Sequence, residues 1–273
     1  MFDSGVGGLT VLHECLVSLP HEDYVYLGDT ARFPYGDRPR PQIKAFAVEL
    51  GTRLVDEGAK LLVIACNSAT AAALPAMRRS LGDRVPVVAV VAPESRLAAS
   101  ATRNGRVGLL ATAATVASGA YGTALAEADP DATLYPVACP GLAPRIQAGR
   151  EVDEVLVRMA DEYCAPLRHA GVDTVILGCT HYPLVRPLLQ RALGRGVRLI
   201  SSGQAIAEEV ERHLRIADLE AGRDRRGAYR FICSGDPEDF RRVGTRFLQL
   251  PLGDVRRIDV NSAPAAFRGR AVA

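Results

Sequence analysis

Two cysteines stand in settings that suit chemistry. Leu62-Val63-Ile64-Ala65-Cys66-Asn67-Ser68 and Val175-Ile176-Leu177-Gly178-Cys179-Thr180-His181 each run from apolar residues of strand length into a thiol, then into hydrogen-bonding side chains. A thiol at a strand's carboxyl end, ahead of a helix, faces unpaired N–H groups and the positive end of the helix dipole, which favour the thiolate. Such a thiolate serves as a base or a nucleophile. Two small buried core residues are the bland alternative, the usual fate of a free cysteine. Asn67, Ser68, Thr180 and His181 beside the sulfurs weigh against it. Cys15, Cys139, Cys164 and Cys233 lack such neighbours and read as core thiols. Of the histidines only His181 lies beside a candidate reactive group; His13, His21, His169 and His213 read as solvated.

Two glycine-rich turns add polar groups. Asp3-Ser4-Gly5-Val6-Gly7-Gly8 lies between a strand stub and a helix starting near Leu9. Its backbone N–H groups could reach an anion. It lacks the Lys-Ser/Thr ending of a P-loop and the spacing of a dinucleotide fingerprint. A carboxylate-binding turn with Asp3 as polar or acid–base helper fits better. Gly28-Asp29-Thr30-Ala31-Arg32-Phe33-Pro34-Tyr35-Gly36 has the same character and reads equally well as a structural loop.

The elements that must position these residues alternate. Tyr24–Leu27, Leu61–Ala65, Pro86–Val91, Val107–Ala111, Val175–Gly178 and Val197–Ser201 read as strands. Gln42–Glu57, Ala69–Leu81, Glu151–Ala170 and Leu184–Leu193 have helical period, and Gly58, Gly82, Gly171 and Gly194 stand where helix C-caps belong. This predicts an α/β fold of mostly parallel sheets flanked by helices, with the site at the carboxyl ends of the strands. The two cysteine tracts form an internal repeat, and Phe2-Asp3-Ser4 pairs with Leu110-Ala111-Thr112 upstream of them. The repeat predicts two pseudo-symmetric domains, 1–91 plus 204–273 around Cys66 and 92–203 around Cys179, with the site in the cleft between them. Glu220–Arg226 reads as a charged surface loop and Ala263–Ala273 as a loose tail.

Composition removes several classes of function. With 273 residues, 48% hydrophobic and 23% charged, the chain reads as a globular protein of two ordinary domains. No apolar run could span a bilayer, and no basic segment with an apolar core marks a secretory signal, so a cytoplasmic location is expected. Six cysteines without a C-x-x-C pair read as free thiols in a reducing compartment. A net charge of +2 and the absence of Trp make nucleic acid or a membrane surface poor partners. Only Lys44 and Lys60 are lysines, and neither stands where a pyridoxal Schiff base would be held. No His, Cys and carboxylate spacing makes a metal site; neither metal nor cofactor is expected.

Four separated motifs carry a resemblance: Asp3-Ser4-Gly5-Val6-Gly7-Gly8-Leu9-Thr10, Gly28-Asp29 with Pro34-Tyr35-Gly36, Ala65-Cys66-Asn67, and Gly178-Cys179-Thr180-His181-Tyr182-Pro183. Together they resemble the glutamate racemases, cofactor-independent enzymes of the aspartate/glutamate racemase superfamily, from residue 2 to about residue 250. The resemblance implies two α/β domains around a small pocket that takes glutamate, with a cysteine on each side of its α-carbon. Cys66 and Cys179 are then the alternating base and acid, Cys66 for D-glutamate and Cys179 for L-glutamate. Asp3 and His181 tune them. Asp3, Ser4, Tyr35, Gly36, Asn67, Ser68, Thr112, Thr115, Thr180 and His181 match substrate-binding positions. The product would be D-glutamate for peptidoglycan, and a homodimer is compatible with the family. Gln147 and Ser201 stand where the family commonly has Glu and Asp, and by the family pattern more of the first strand would precede Asp3. Rival readings are a racemase for aspartate or another amino acid, a cysteine hydrolase using Cys179 and His181, and a non-catalytic amino-acid-binding module.

Overall fold

The computed structural model of the protein describes residues 1–148 and 151–260. The strands are β1 (Phe2–Asp3), β2 (Tyr24–Gly28), β3 (Leu62–Ile64), β4 (Val87–Ala89), β5 (Arg106–Ala111), β6 (Thr133–Ala138), β7 (Thr174–Gly178), β8 (Arg198–Ile200), β9 (Tyr229–Cys233) and β10 (Val255–Arg257). They form two parallel sheets, ordered β10-β9-β2-β1-β3-β4 and β6-β5-β7-β8. Helices flank them: α1 (Leu9–Ser18), α2 (Arg40–Asp56), α3 (Asn67–Leu81), α4 (Val91–Ala101), α5 (Ala113–Ala117), α6 (Ala120–Ala128), α7 (Leu142–Gln147), α8 (Glu154–His169), α9 (Arg186–Leu193), α10 (Ser202–Ile216) and α11 (Pro237–Leu248).

The predicted α/β class is the observed one, and the repeat has a structural counterpart. In each sheet the first four strands in chain order lie as second, first, third, fourth. Such an order reverses direction between the first and third strands, where doubly wound folds bind ligands. β9 and β10 extend the first sheet beyond β2. Apolar runs become central strands because both faces are covered: Val175, Ile176 and Leu177 in β7 are fully buried.

Several boundaries moved for local reasons. The strand expected over Pro86–Val91 keeps only Val87–Ala89, because Val90 is already αR and caps α4. Pro93 in the first turn of α4 has no N–H to lose. α3 starts at Asn67, two residues early, since Cys66 itself is the N-cap. Asp153 caps α8 through Leu156 N–H at 2.9 Å, leaving residues 151 and 152 outside the helix. Leu184–Leu193 splits into a 3₁₀ turn over Tyr182–Val185 and then α9. Gly58, Gly171 and Gly194 do adopt positive φ, whereas Gly82 ends α3 in αR geometry. β6 went unread because Pro136 interrupts it; as an edge strand it tolerates a missing donor. The expected tail over Ala263–Ala273 lies outside the described residues.

Candidate active site

Strand register assembles the site. Pairing of Asp3 with Gly28 and of Phe2 with Ile64 places residues 3–4, 28–29 and 65–67 along one carboxyl edge. Pairing of Ala111 with Gly178 does the same for Thr112 and Cys179 in the second sheet. Both edges wall a single narrow cavity of about 20 Å³. Ser4, Tyr35, Gly36, Cys66, Asn67 and Ser68 line it from one sheet's side, and Thr112, Cys179, Thr180 and His181 from the other. Asp3 and Thr115 stand one hydrogen bond behind this wall. This is space for about one water, less than an amino acid needs.

The thiols are held in the reverse of the expected electrostatic state. The Cys66 side chain does accept from Ala69 N–H at 3.4 Å, as an N-cap, and its S–H reaches Ser4 Oγ at 3.7 Å. Burial nevertheless pushes Cys66 up to about 12, and the nearby Asp3 charge adds to the rise. Cys179 also lies well above the ordinary thiol range, again mainly through burial, although His181 N–H opposes it. Its thiol is followed by a 3₁₀ turn rather than an α-helix, so the expected dipole is weak there. Loss of water around the sulfur outweighs a few N–H dipoles. Both thiols are therefore protonated at neutral pH in the closed protein. Iodoacetamide at pH 7.5 should label Cys66 about a thousandfold more slowly than an unburied cysteine, with the rate rising about tenfold per pH unit. Peptide mass spectrometry reads this out; labelling at the rate of a free thiol would contradict it.

His181 is fully enclosed and its imidazole is pushed down to about 3 by burial. It is thus neutral. Its Nε2–H donates to Gln147 Oε1 at 2.8 Å, which leaves Nδ1 as the acceptor, 3.8 Å from Cys179 Sγ. Phe33 and Phe247 pack on the ring with centroids at 5.4 and 5.2 Å. Asp3, also fully buried, accepts from Gly5 N–H at 2.8 Å and from Thr180 Oγ1 at 3.1 Å, a bond between the two sheets' edges. Burial raises its carboxyl to about 6 against the pull of those donors.

Hydroxyls close the far wall. Ser68 Oγ, Thr112 Oγ1 and Thr115 Oγ1 form a triangle with sides of 2.9, 3.1 and 2.9 Å. Thr112 also caps α5. Asp29 anchors the Gly28–Gly36 loop: it accepts from Tyr35 OH, Arg32 Nε at 2.6 Å and Ser234 Oγ at 2.6 Å. That loop both fixes Tyr35 and forms part of the cavity wall. Sequence reading passed over Glu94, Tyr121 and Ser202, which join Asn67 in one buried cluster. An acidic residue within the otherwise apolar start of α4 was the available signal for Glu94. Among the described residues no group of three or more His, Cys, Asp or Glu could hold a metal ion, and no helix is long and apolar enough to cross a membrane.

Comparison with known proteins agrees with this geometry. Residues 11–210 match the Asp/Glu/Hydantoin racemase family. The glutamate racemase of Beutenbergia cavernae is 46% identical over 265 residues, covering 93% of this chain and 90% of that protein. Among solved structures, a glutamate racemase isoform from Bacillus anthracis superposes with a TM-score of 0.89 at 35% identity, over 94% of this chain and 96% of that one. The Francisella tularensis glutamate racemase, solved with D-glutamate, gives 0.89 at 30% identity, over 96% and 97% of the two chains. With a matching family signature, this level of identity and the same two-sheet framework, the chain belongs to the Asp/Glu/Hydantoin racemase family.

Proposed function

We propose that the protein is a glutamate racemase that interconverts L- and D-glutamate, supplying D-glutamate for peptidoglycan in the cytosol, where its thiols stay reduced. The observation that carries this reading is that Cys66 and Cys179 wall one cavity from two different sheets. In this reading residues 1–91 with 204–273 form one domain and 92–203 the other, and strand membership of the two sheets supports the division among the described residues.

Two bases on opposite sides of one carbon suffice for racemisation. One sulfur, as thiolate, takes the α-proton; the Cα–H electron pair stays on carbon as a carbanion. The opposite thiol then gives its proton to the other face, so the two sulfurs exchange protonation states and no atom is gained or lost. Because burial holds both thiols high, the substrate ammonium has a task beyond recognition: a positive charge beside the sulfurs favours the thiolate. Hydroxyls of Ser68 and Thr112 and N–H groups at the start of α3 are preorganised donors for the charge that develops on the substrate carboxylate. Exclusion of water strengthens each of them. No pyridoxal, metal or nucleotide enters this scheme. A hydrolase reading, with His181 as base for Cys179, is disfavoured because an imidazole pushed down to about 3 cannot keep the proton it would take.

Proton NMR of L- and of D-glutamate in D₂O with the protein, and no added cofactor, tests the reading. Loss of the Cα proton signal from both enantiomers is expected. No exchange with either would overturn the proposal, and faster exchange of aspartate would transfer it to that substrate.

A further inference from the structure

One buried ionisable group has no place in the proton transfer. Glu94, on α4, is 0% exposed. Its carboxylate accepts from three donors brought by three other helices: Asn67 Nδ2 of α3 at 3.1 Å, Tyr121 OH of α6 and Ser202 Oγ of α10. Tyr121 closes a smaller ring, because Asn67 Nδ2 also donates to its hydroxyl oxygen at 2.7 Å. Both acceptors lie on the same side of Nδ2, which fixes the orientation of the Asn67 amide.

This arrangement decides which end of the amide remains for a ligand. Asn67 lines the cavity, and its Oδ1 is buried with no hydrogen-bond partner. A flipped amide would set Oδ1 against the Glu94 carboxylate, acceptor against acceptor, and strand both N–H hydrogens. A buried acceptor without a donor is costly and marks a place where a ligand donor is missing. A carbonyl oxygen cannot hold a carboxylate; it suits a donor, and the donor on an amino acid is its ammonium group.

We propose that Glu94 is a positioning residue: with Tyr121 it locks the Asn67 amide so that Oδ1 accepts a hydrogen bond from the substrate's ammonium group. The assignment rests on the racemase reading. It makes the Asn67 side of the cavity select the charged amine, and it ties that selection to helices from both sheets' surroundings.

A double-mutant cycle on the full chain tests it, after the wild type has been shown to exchange the Cα proton; a wild type without exchange would fail the racemase reading instead. KM and kcat for both enantiomers are measured for Glu94→Leu, Asn67→Ala and their combination, with Tm for each. Glu94→Leu should raise KM about tenfold for both enantiomers while kcat changes less than about threefold, as expected for loss of one oriented polar contact. In the Asn67→Ala background the same change should add nothing to KM. Glu94→Gln, whose amide oxygen can still accept from Asn67 and Tyr121 while its nitrogen donates to Ser202 Oγ, should restore KM to within about threefold of wild type. If Glu94→Leu fails to fold, Tyr121→Phe replaces it, since it removes the second fastener of Asn67 and keeps the ring. An equal rise in KM with and without Asn67, or a fall in Tm with KM unchanged, would overturn the proposal.

Discussion

Racemisation of glutamate should fall by about 10³-fold or more, in both directions, when either Cys66 or Cys179 is replaced by serine. The replacement keeps shape and one hydrogen-bonding group, yet a hydroxyl is a far weaker acid than a thiol and supplies no base near neutral pH. Because each sulfur is the base for one enantiomer and the acid for the other, neither can be lost from either direction. The two roles separate with glutamate analogues that carry a leaving group on the β-carbon. There, removal of the α-proton to a sulfur is followed by formation of the Cα=Cβ bond as the leaving group departs with its electron pair, so a second proton transfer is not needed. Cys66→Ser should still process the L-configured analogue and Cys179→Ser the D-configured one. The opposite pattern would exchange the faces and spare the two-base scheme, whereas elimination of both analogues by one single mutant would sink it.

Gly7→Ala should have the next largest effect, although it removes no functional group. Gly7 lies in the turn between β1 and α1, and a Cβ there would come within 2.3 Å of Thr180 Oγ1 and 2.5 Å of the His181 ring. Both residues follow β7 in the other sheet, and Thr10 of α1 already donates to Thr180 O at 3.2 Å, so little slack exists on either side. The extra methyl must push Thr180 off Asp3 or drive His181 away from Cys179 Sγ and Gln147. A displacement of about 1 Å at a catalytic group costs about 10²-fold in rate, and overpacking costs about 1–3 kcal/mol in stability. A fall in kcat/KM of about 10²-fold with a lowered Tm is the expected result. Gly36→Ala is the matched test from the same sheet's side, where the Cβ would meet Thr112 Cβ at 2.6 Å. Near-wild-type kcat/KM in both variants would show that the two edges are not held at this separation.

The cysteine settings, the glycine turns and the alternation of apolar runs with helical stretches were legible because they are local. Strand length, buried β-branched runs and cap residues are properties of adjacent amino acids, and parallel strands then oblige their carboxyl ends to carry the site. The repeat around Cys66 and Cys179 went further, since two like halves with one thiol each suggest one shared pocket. Boundaries shifted where a single residue had two uses: Cys66 is both reactive thiol and helix cap, and Val90 turns a strand into α4 without a loop.

What the chain order could not reveal depends on atoms far apart in it. Thiol ionisation was misjudged because a dipole can be read from a strand-to-helix junction, while burial depends on everything packed around the sulfur. The neutral state of His181 likewise needs Phe33, Gln147 and Phe247 around one ring, and none of them neighbours it in sequence. Glu94 reads as an ordinary helix residue until α3, α6 and α10 bring Asn67, Tyr121 and Ser202 to its carboxylate. The sequence by itself determined which residue types stand at the strand ends and that two such ends are alike. Only the tertiary structure decided how much water each polar group keeps and which partner it meets, because desolvation and hydrogen-bond geometry are set by distance in space and not by spacing along the chain.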